Sequence, residues 1–294
     1  MTSRGHSIRV GQLEIYAEEE GEGAPALVFI HYWGGSRRTW SEVIARLSDR
    51  FRCVAMDLRG WGKSDRHAED YSLFAQADDV EGVIAALNVK DFVLVGHSMG
   101  GKIAQILAGR RPDGLRAVVL VAPAPPTPLL APNERKRYML DSYATPEGIE
   151  DALKVINHRP LTSAQRAQVT EDSVGGAEAA KVAWVSQGMV LDISEQAAAI
   201  TVPVCVIVGS EDQAENEAAL REAILPLVPR AQFETIEGVG HLSPLEGPDE
   251  VAVTISKFLK DLAPAAGLLG CCTACAGPGQ PVAGAKQFDG NPDI

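Results

Sequence analysis

Ser98 is the side chain best placed to do chemistry. It stands at the centre of Gly96-His97-Ser98-Met99-Gly100, a Gly-x-Ser-x-Gly turn extended by Gly101. An apolar stretch over residues 91–95 leads into the turn, and a helical pattern with Ile103 and Leu107 on one face leads out of it. A strand, a sharp elbow and a helix in that order hold a serine in a strained backbone conformation. Only small neighbours tolerate the elbow, and Gly96 and Gly100 meet that need. The hydroxyl then projects from the carboxyl edge of a sheet. The helix beginning at Met99 aims its free N–H groups and positive dipole end at the place where a carbonyl oxygen gains charge during acyl transfer.

Such a hydroxyl needs a base, and an imidazole base needs a carboxylate to fix its tautomer. The chain has six histidines. His6 falls in an opening hairpin, His67 in a polar loop and His158 in a helical region. His97 precedes the serine and should point the opposite way along its strand, and His31 ends a strand in another glycine-containing segment. His241 lies in Gly238-Val239-Gly240-His241, a loop after the final strand, and is the candidate base. Asp212 follows a buried strand at the same sheet edge and is the candidate acid, with Glu211 its neighbouring competitor. The preceding strand runs into Ala122-Pro123-Ala124-Pro125-Pro126, which offers no acid before Glu134.

The elements that must position these residues alternate. Residues 6–17 read as an antiparallel hairpin, and 27–30 as a central strand buried on both faces. A helix over 39–47, a strand over 52–56 and a helix over 73–87 precede the serine unit, and 116–122 is another short buried strand. Alternation of this kind implies a mainly parallel sheet with right-handed crossovers. It stops at 123–132, a proline-rich stretch, and four short helices are expected at 134–143, 146–156, 163–172 and 177–190. This region reads as a helical cap over the catalytic edge. Strands at 204–208 and 232–236, a helix over 215–225 and a closing amphipathic helix to Leu262 complete the pattern. The domain expectation is a core of residues 1–122 and 201–263, a cap of 123–200, and a disordered tail of 264–294 rich in Ala, Gly and Pro.

The order Ser98, Asp212, His241 with its Gly-x-Ser-x-Gly elbow resembles the α/β-hydrolase superfamily over residues 8–262. The loop Asp57-Leu58-Arg59-Gly60-Trp61-Gly62-Lys63-Ser64 and the run Gly240-His241-Leu242-Ser243-Pro244-Leu245-Glu246 are similar to the same superfamily. The Ser98-Met99 pair and the aromatic after the third strand resemble its cofactor-free haloperoxidase, esterase and perhydrolase branch. The resemblance implies an α/β fold with a mainly parallel eight-stranded sheet, helices on both faces and an inserted cap. It also implies an oxyanion hole built from the N–H groups of Met99 and Trp33. Where the family usually has His-Gly, this chain has His31-Tyr32. A tyrosine forced into the glycine conformation costs of order 1 kcal/mol or more, unless the loop runs differently or Tyr32 serves at the pocket mouth. Tyr32, Tyr143, Trp184 and Met189 are the candidate substrate-binding residues.

Composition narrows the partners. With 27 basic and 39 acidic residues the formal charge is −12, which argues against nucleic acid and anionic membranes. No apolar run reaches the ~18 residues of a membrane span. No secretory signal is visible at the amino terminus, and five cysteines, an odd count, favour a reducing compartment, so a cytoplasmic location is expected. Cys53 and Cys205 read as core hydrophobes. Cys271, Cys272 and Cys275 contain one CxxC spacing, too little for a zinc site, so neither metal nor cofactor is expected. Arg59 reads as a structural loop partner, and Asp78, Asp79 and Glu81 as a solvated helix face.

The expected function is a serine hydrolase that cleaves a small to medium carboxylic ester or lactone through an acyl-enzyme. A serine in the elbow disfavours the dehalogenase and epoxide hydrolase chemistry of this fold. The alternatives are perhydrolysis of the haloperoxidase type and a small-molecule receptor on the same scaffold.

Overall fold

The computed structural model describes residues 3–262. The expected tail, with Cys271, Cys272 and Cys275, lies outside the described residues. Eight strands form one sheet: β1 (Arg4–Val10), β2 (Leu13–Glu20), β3 (Ala26–Ile30), β4 (Cys53–Met56), β5 (Phe92–His97), β6 (Leu115–Val121), β7 (Val204–Gly209) and β8 (Gln232–Ile236). Their spatial order is β1-β2-β4-β3-β5-β6-β7-β8. β2 runs antiparallel to both β1 and β4, and every other neighbouring pair is parallel.

Strand periodicity divides the core into two layers. Leu27, Phe29, Val93 and Val95 point to one face, and Val28, Ile30, Phe92 and Leu94 to the other, as alternation along a strand requires. α1 (Ser41–Leu47) and α11 (Pro248–Leu262) cover the first face through Val43, Leu47, Val251, Ile255 and Phe258. α2 (Leu73–Ala86) and α3 (Met99–Gly109) cover the second through Val80, Ile84, Ile103 and Leu107.

Between β6 and β7 the chain is helical: α4 (Asn133–Ser142), α5 (Pro146–Ile156), α6 (Ser163–Gly175), α7 (Glu178–Ala183) and α8 (Ser194–Ala198). The fourth expected helix is split, because α7 passes into a π-helical turn at Trp184–Gly188. Periodicity also misses α8, whose five residues are too few to show a repeat; it packs on α3. α9 (Glu217–Ile224) and α10 (Ser243–Glu246) complete the set. Among the described residues no helix is long and apolar enough to cross a membrane.

Asp79 departs from the expected solvated face. It is fully buried on α2 and receives the Arg59 guanidinium, with Nε donating at 2.6 Å and Nη2 at 2.8 Å. Burial pushes the Asp79 carboxyl up and the Arg59 bonds pull it down. Only Asp78 and Glu81 of that cluster face water, where both pair with Arg110. Arg59 thus ties the loop after β4 to α2, a structural role. Cys53 and Cys205 are buried, and burial pushes both thiols up to about 12.

Candidate active site

Parallel strands present their carboxyl ends at one edge, so the residues that follow β5, β7 and β8 meet there. Ser98 follows β5 with φ 52° and ψ −115°, a region that only glycine enters without strain. The surroundings hold it. The Ser98 N–H donates to the Val121 carbonyl at 3.1 Å, and its own carbonyl accepts from Ala124, Gly101 and Lys102. A Cβ on Gly96 would lie 2.4 Å from the Gly100 carbonyl oxygen, and one on Gly100 would lie 2.4 Å from that of Ile30. No larger residue fits at either position while the elbow keeps this shape.

The three candidate residues come together. Ser98 Oγ lies 3.0 Å from His241 Nε2, and His241 Nδ1 lies 2.9 Å from Asp212 Oδ2. A carboxylate only accepts, so Nδ1–H donates to Asp212 and leaves Nε2 free to accept the serine proton. Asp212 Oδ1 accepts in turn from the N–H groups of Ala214 at 2.8 Å and Glu215 at 3.0 Å, which fixes the acid within its own loop. Burial lowers the His241 pKa, but the Asp212 charge and hydrogen bond outweigh it, and the net shift is upward from 6.5. Glu211 is exposed, and among the described residues its carboxylate accepts only from the neighbouring Ser210 hydroxyl, so it does not compete.

Three further residues support the base. His97 is fully buried, and its ring lies 5.0 Å from that of Tyr32 and 5.3 Å from that of His241. It does not point away from the base, as expected for the residue before the serine. Its Nε2–H donates to the His241 carbonyl at 2.8 Å, and burial keeps it well below the ordinary histidine value, hence neutral. Glu246 accepts from the N–H groups of Gly240, Leu242, His158 and Arg159 at 2.7–3.1 Å, binding the base loop to the helical segment. The third is Ile156 at the end of α5, whose carbonyl accepts from the His241 N–H at 3.0 Å. Apart from the local bonds of Glu246 to Gly240 and Leu242, these contacts join segments far apart in the chain, so spacing could not reveal them.

Met99 and Trp33 are both buried, and no backbone acceptor among the described residues engages their N–H groups. His31 Nδ1–H donates to the Tyr32 carbonyl at 2.7 Å while Nε2 accepts from the Leu58 N–H at 3.0 Å, so His31 pins the loop in its neutral form. Tyr32 does not take a positive φ; Gly34 does, at 94°. The strain foreseen for Tyr32 is therefore absent, because the left-handed step falls two residues later. At Gly34 a Cβ would lie 2.2 Å from the Tyr143 ring, and that ring stacks on Trp33 at 3.9 Å.

Ser98 and His241 open into a cavity of about 290 Å³. Tyr32, Trp33, Tyr143, Trp184 and Met189 all line it, together with Met139, Val155 and Leu129. The wall is thus mostly aromatic and aliphatic. The π-helical turn sets Trp184 against Gly188, where a Cβ would lie 2.6 Å from the indole ring. Glu215 also lines the cavity and was not foreseen; only its position three residues after Asp212 could have signalled it. Among the described residues no cluster of three His, Cys, Asp or Glu side chains could hold a metal ion.

A family model described as the alpha/beta hydrolase fold matches residues 25–248. The chain belongs to the α/β-hydrolase fold family. It is 27% identical over 280 residues to a non-heme chloroperoxidase, CPO-A1, of Kitasatospora aureofaciens, covering 85% of this chain and 94% of that protein. The structure of a bromoperoxidase from Bacillus anthracis superposes with a TM-score of 0.81 at 20% identity, over 88% of this chain and all of that one. An esterase from Exiguobacterium antarcticum superposes at 0.79 and 20% identity, over 87% and 98% of the two chains. At that level of identity the two structural likenesses speak for the fold alone.

Proposed function

We propose that the protein is a serine hydrolase that cleaves a small to medium carboxylic ester or lactone. The observation that carries the reading is the hydrogen-bonded relay from Ser98 through His241 to Asp212, at 3.0 and 2.9 Å, opening onto an apolar cavity. Ser98 Oγ attacks the carbonyl carbon while its proton passes to His241 Nε2. Met99 and Trp33 donate their N–H groups to the oxyanion. His241 then protonates the departing alcohol, and water repeats the cycle on the acyl-enzyme. The segment 123–200 acts as the cap that shapes the acyl pocket, and a cytoplasmic location suits the unpaired buried thiols of Cys53 and Cys205.

The test pairs turnover of p-nitrophenyl esters with fluorophosphonate labelling. Ser98→Ala should abolish labelling and lower kcat by about four to six orders of magnitude. Retention of substantial esterase activity in that variant would overturn the assignment.

The likeness to a non-heme chloroperoxidase favours a second reading, perhydrolysis. Hydrogen peroxide would replace water at the acyl-enzyme, giving a peracid and free Ser98. Peracid formation measured beside ester hydrolysis on the same acyl donor separates the two.

A further inference from the structure

The cavity wall beside His241 carries a polar group that the relay does not use. Glu215 lies three residues after Asp212, and its backbone N–H is held by Asp212 Oδ1 at 3.0 Å. Its side chain is half-buried and lines the cavity that Ser98 and His241 share. Among the described residues the carboxyl has no hydrogen-bond partner; the charges that act on it are those of His241, Asp212 and the buried Lys102 of α3. Burial raises it to about 8 against the pull of His241. Near neutral pH the group is therefore largely a neutral acid, able both to donate and to accept.

Catalytic geometry tells which part of a substrate it meets. The carbonyl oxygen turns toward the N–H groups of Met99 and Trp33, while the departing oxygen must reach His241 Nε2 for its proton. Glu215 lines the same cavity, and its charge and that of His241 act on each other, which puts it on the imidazole side of the site, where the leaving group must lie. A second hydroxyl on that group also donates and accepts, and satisfies the carboxyl in a mostly apolar wall. A plain alkyl group would cover the carboxyl and leave it unpaired, which is what makes such a site reject the analogue without a hydroxyl. Arg135, which lines the same cavity from α4, disfavours a cationic alternative.

We propose that Glu215 is a specificity-determining residue that selects esters whose leaving alcohol bears a second hydroxyl close to the ester oxygen. The inference rests on the serine-hydrolase reading. Its test compares three butyrates that differ only in the alcohol: 2-hydroxyethyl, n-propyl and choline, near neutral pH. Wild-type protein should favour 2-hydroxyethyl over propyl in kcat/KM by about tenfold or more. Glu215→Leu should bring that ratio close to one, and Glu215→Gln, which still donates and accepts, should retain a preference. A merely structural role would slow all three esters by one common factor and overturn the proposal. So would a wild-type ratio near one, or a wild-type ratio that survives Glu215→Leu. A preference for the choline ester over the hydroxyethyl ester would replace the hydroxyl with a cation and overturn it too. Fluorophosphonate labelling of wild-type Ser98 separates the two levels. Labelling with a flat ester ratio refutes only the role of Glu215, whereas no labelling and no turnover of any ester refute the hydrolase reading and this one together.

Discussion

Neutral His241 is the form that can take the Ser98 proton, so in the proposed reaction its ionisation should set the acid limb of activity. Burial alone would depress that pKa, and the Asp212 carboxylate, 2.9 Å from Nδ1, reverses the sign. kcat/KM should therefore fall as the pH drops through a value above the ordinary 6.5 of a histidine. In Asp212→Asn the main opposition to burial is lost and only the weaker pull of Glu215 and Glu246 remains, so the limb should move to lower pH, and kcat should drop by about three to four orders of magnitude as the tautomer is lost. A pH–rate profile of both proteins checks this, and an unmoved limb would tell against His241 as the base. The residue before the serine has a quieter part: a neutral His97 holds the carbonyl of His241, so the base is fixed through its main chain as well as its ring.

At the scale of elements, α3 begins directly after Ser98 and carries an electrostatic burden. Lys102 is fully buried, and among the described residues its Nζ reaches only the carbonyls of Thr127 at 3.4 Å and Met189 at 3.5 Å. Burial lowers its pKa from 10.5 to about 8, with Glu215 and Asp192 acting the other way. Between about 8 and 10.5 the unfolded chain holds a proton that the folded one has released, so stability contributed by this site rises with pH across that window. Urea unfolding of wild type and Lys102→Met should show the wild type gaining on the variant from about pH 8 upward. A constant difference would contradict it. The bonds to Thr127 and Met189 also link the serine helix to the segment that walls the cavity, which gives a buried lysine a reason to be there.

Across the whole molecule, the cavity exists because the helical segment between β6 and β7 folds over the carboxyl edge of the sheet. Trp184 forms part of its wall and is itself buried. Each methylene that an acyl chain buries there is worth about 0.8 kcal/mol, or about fourfold in kcat/KM, until the space is filled. A chain-length series of p-nitrophenyl esters should therefore rise to an optimum and then fall, and Trp184→Ala should move the optimum to longer chains. An optimum that stays in place would remove Trp184 from the acyl pocket.

The order of strands and helices was legible along the chain because both leave local signals: alternate residues in the hairpin of β1 and β2, unbroken apolar runs in β3 and β5, and Leu73, Val80 and Ile84 on α2. Ser98, Asp212 and His241 were legible as well, because the parallel sheet gathers residues that follow its strands at one edge, and local glycines and loops mark them. Other features arise from pairings with no local signature. Tertiary packing alone decided that Asp79 lies under Arg59, that His97 and Glu246 brace the base, and that Gly34, not Tyr32, absorbs the left-handed turn. The same packing set Glu215 in the cavity wall, since hydrogen bonds and burial depend on distances in space that spacing along a chain does not encode.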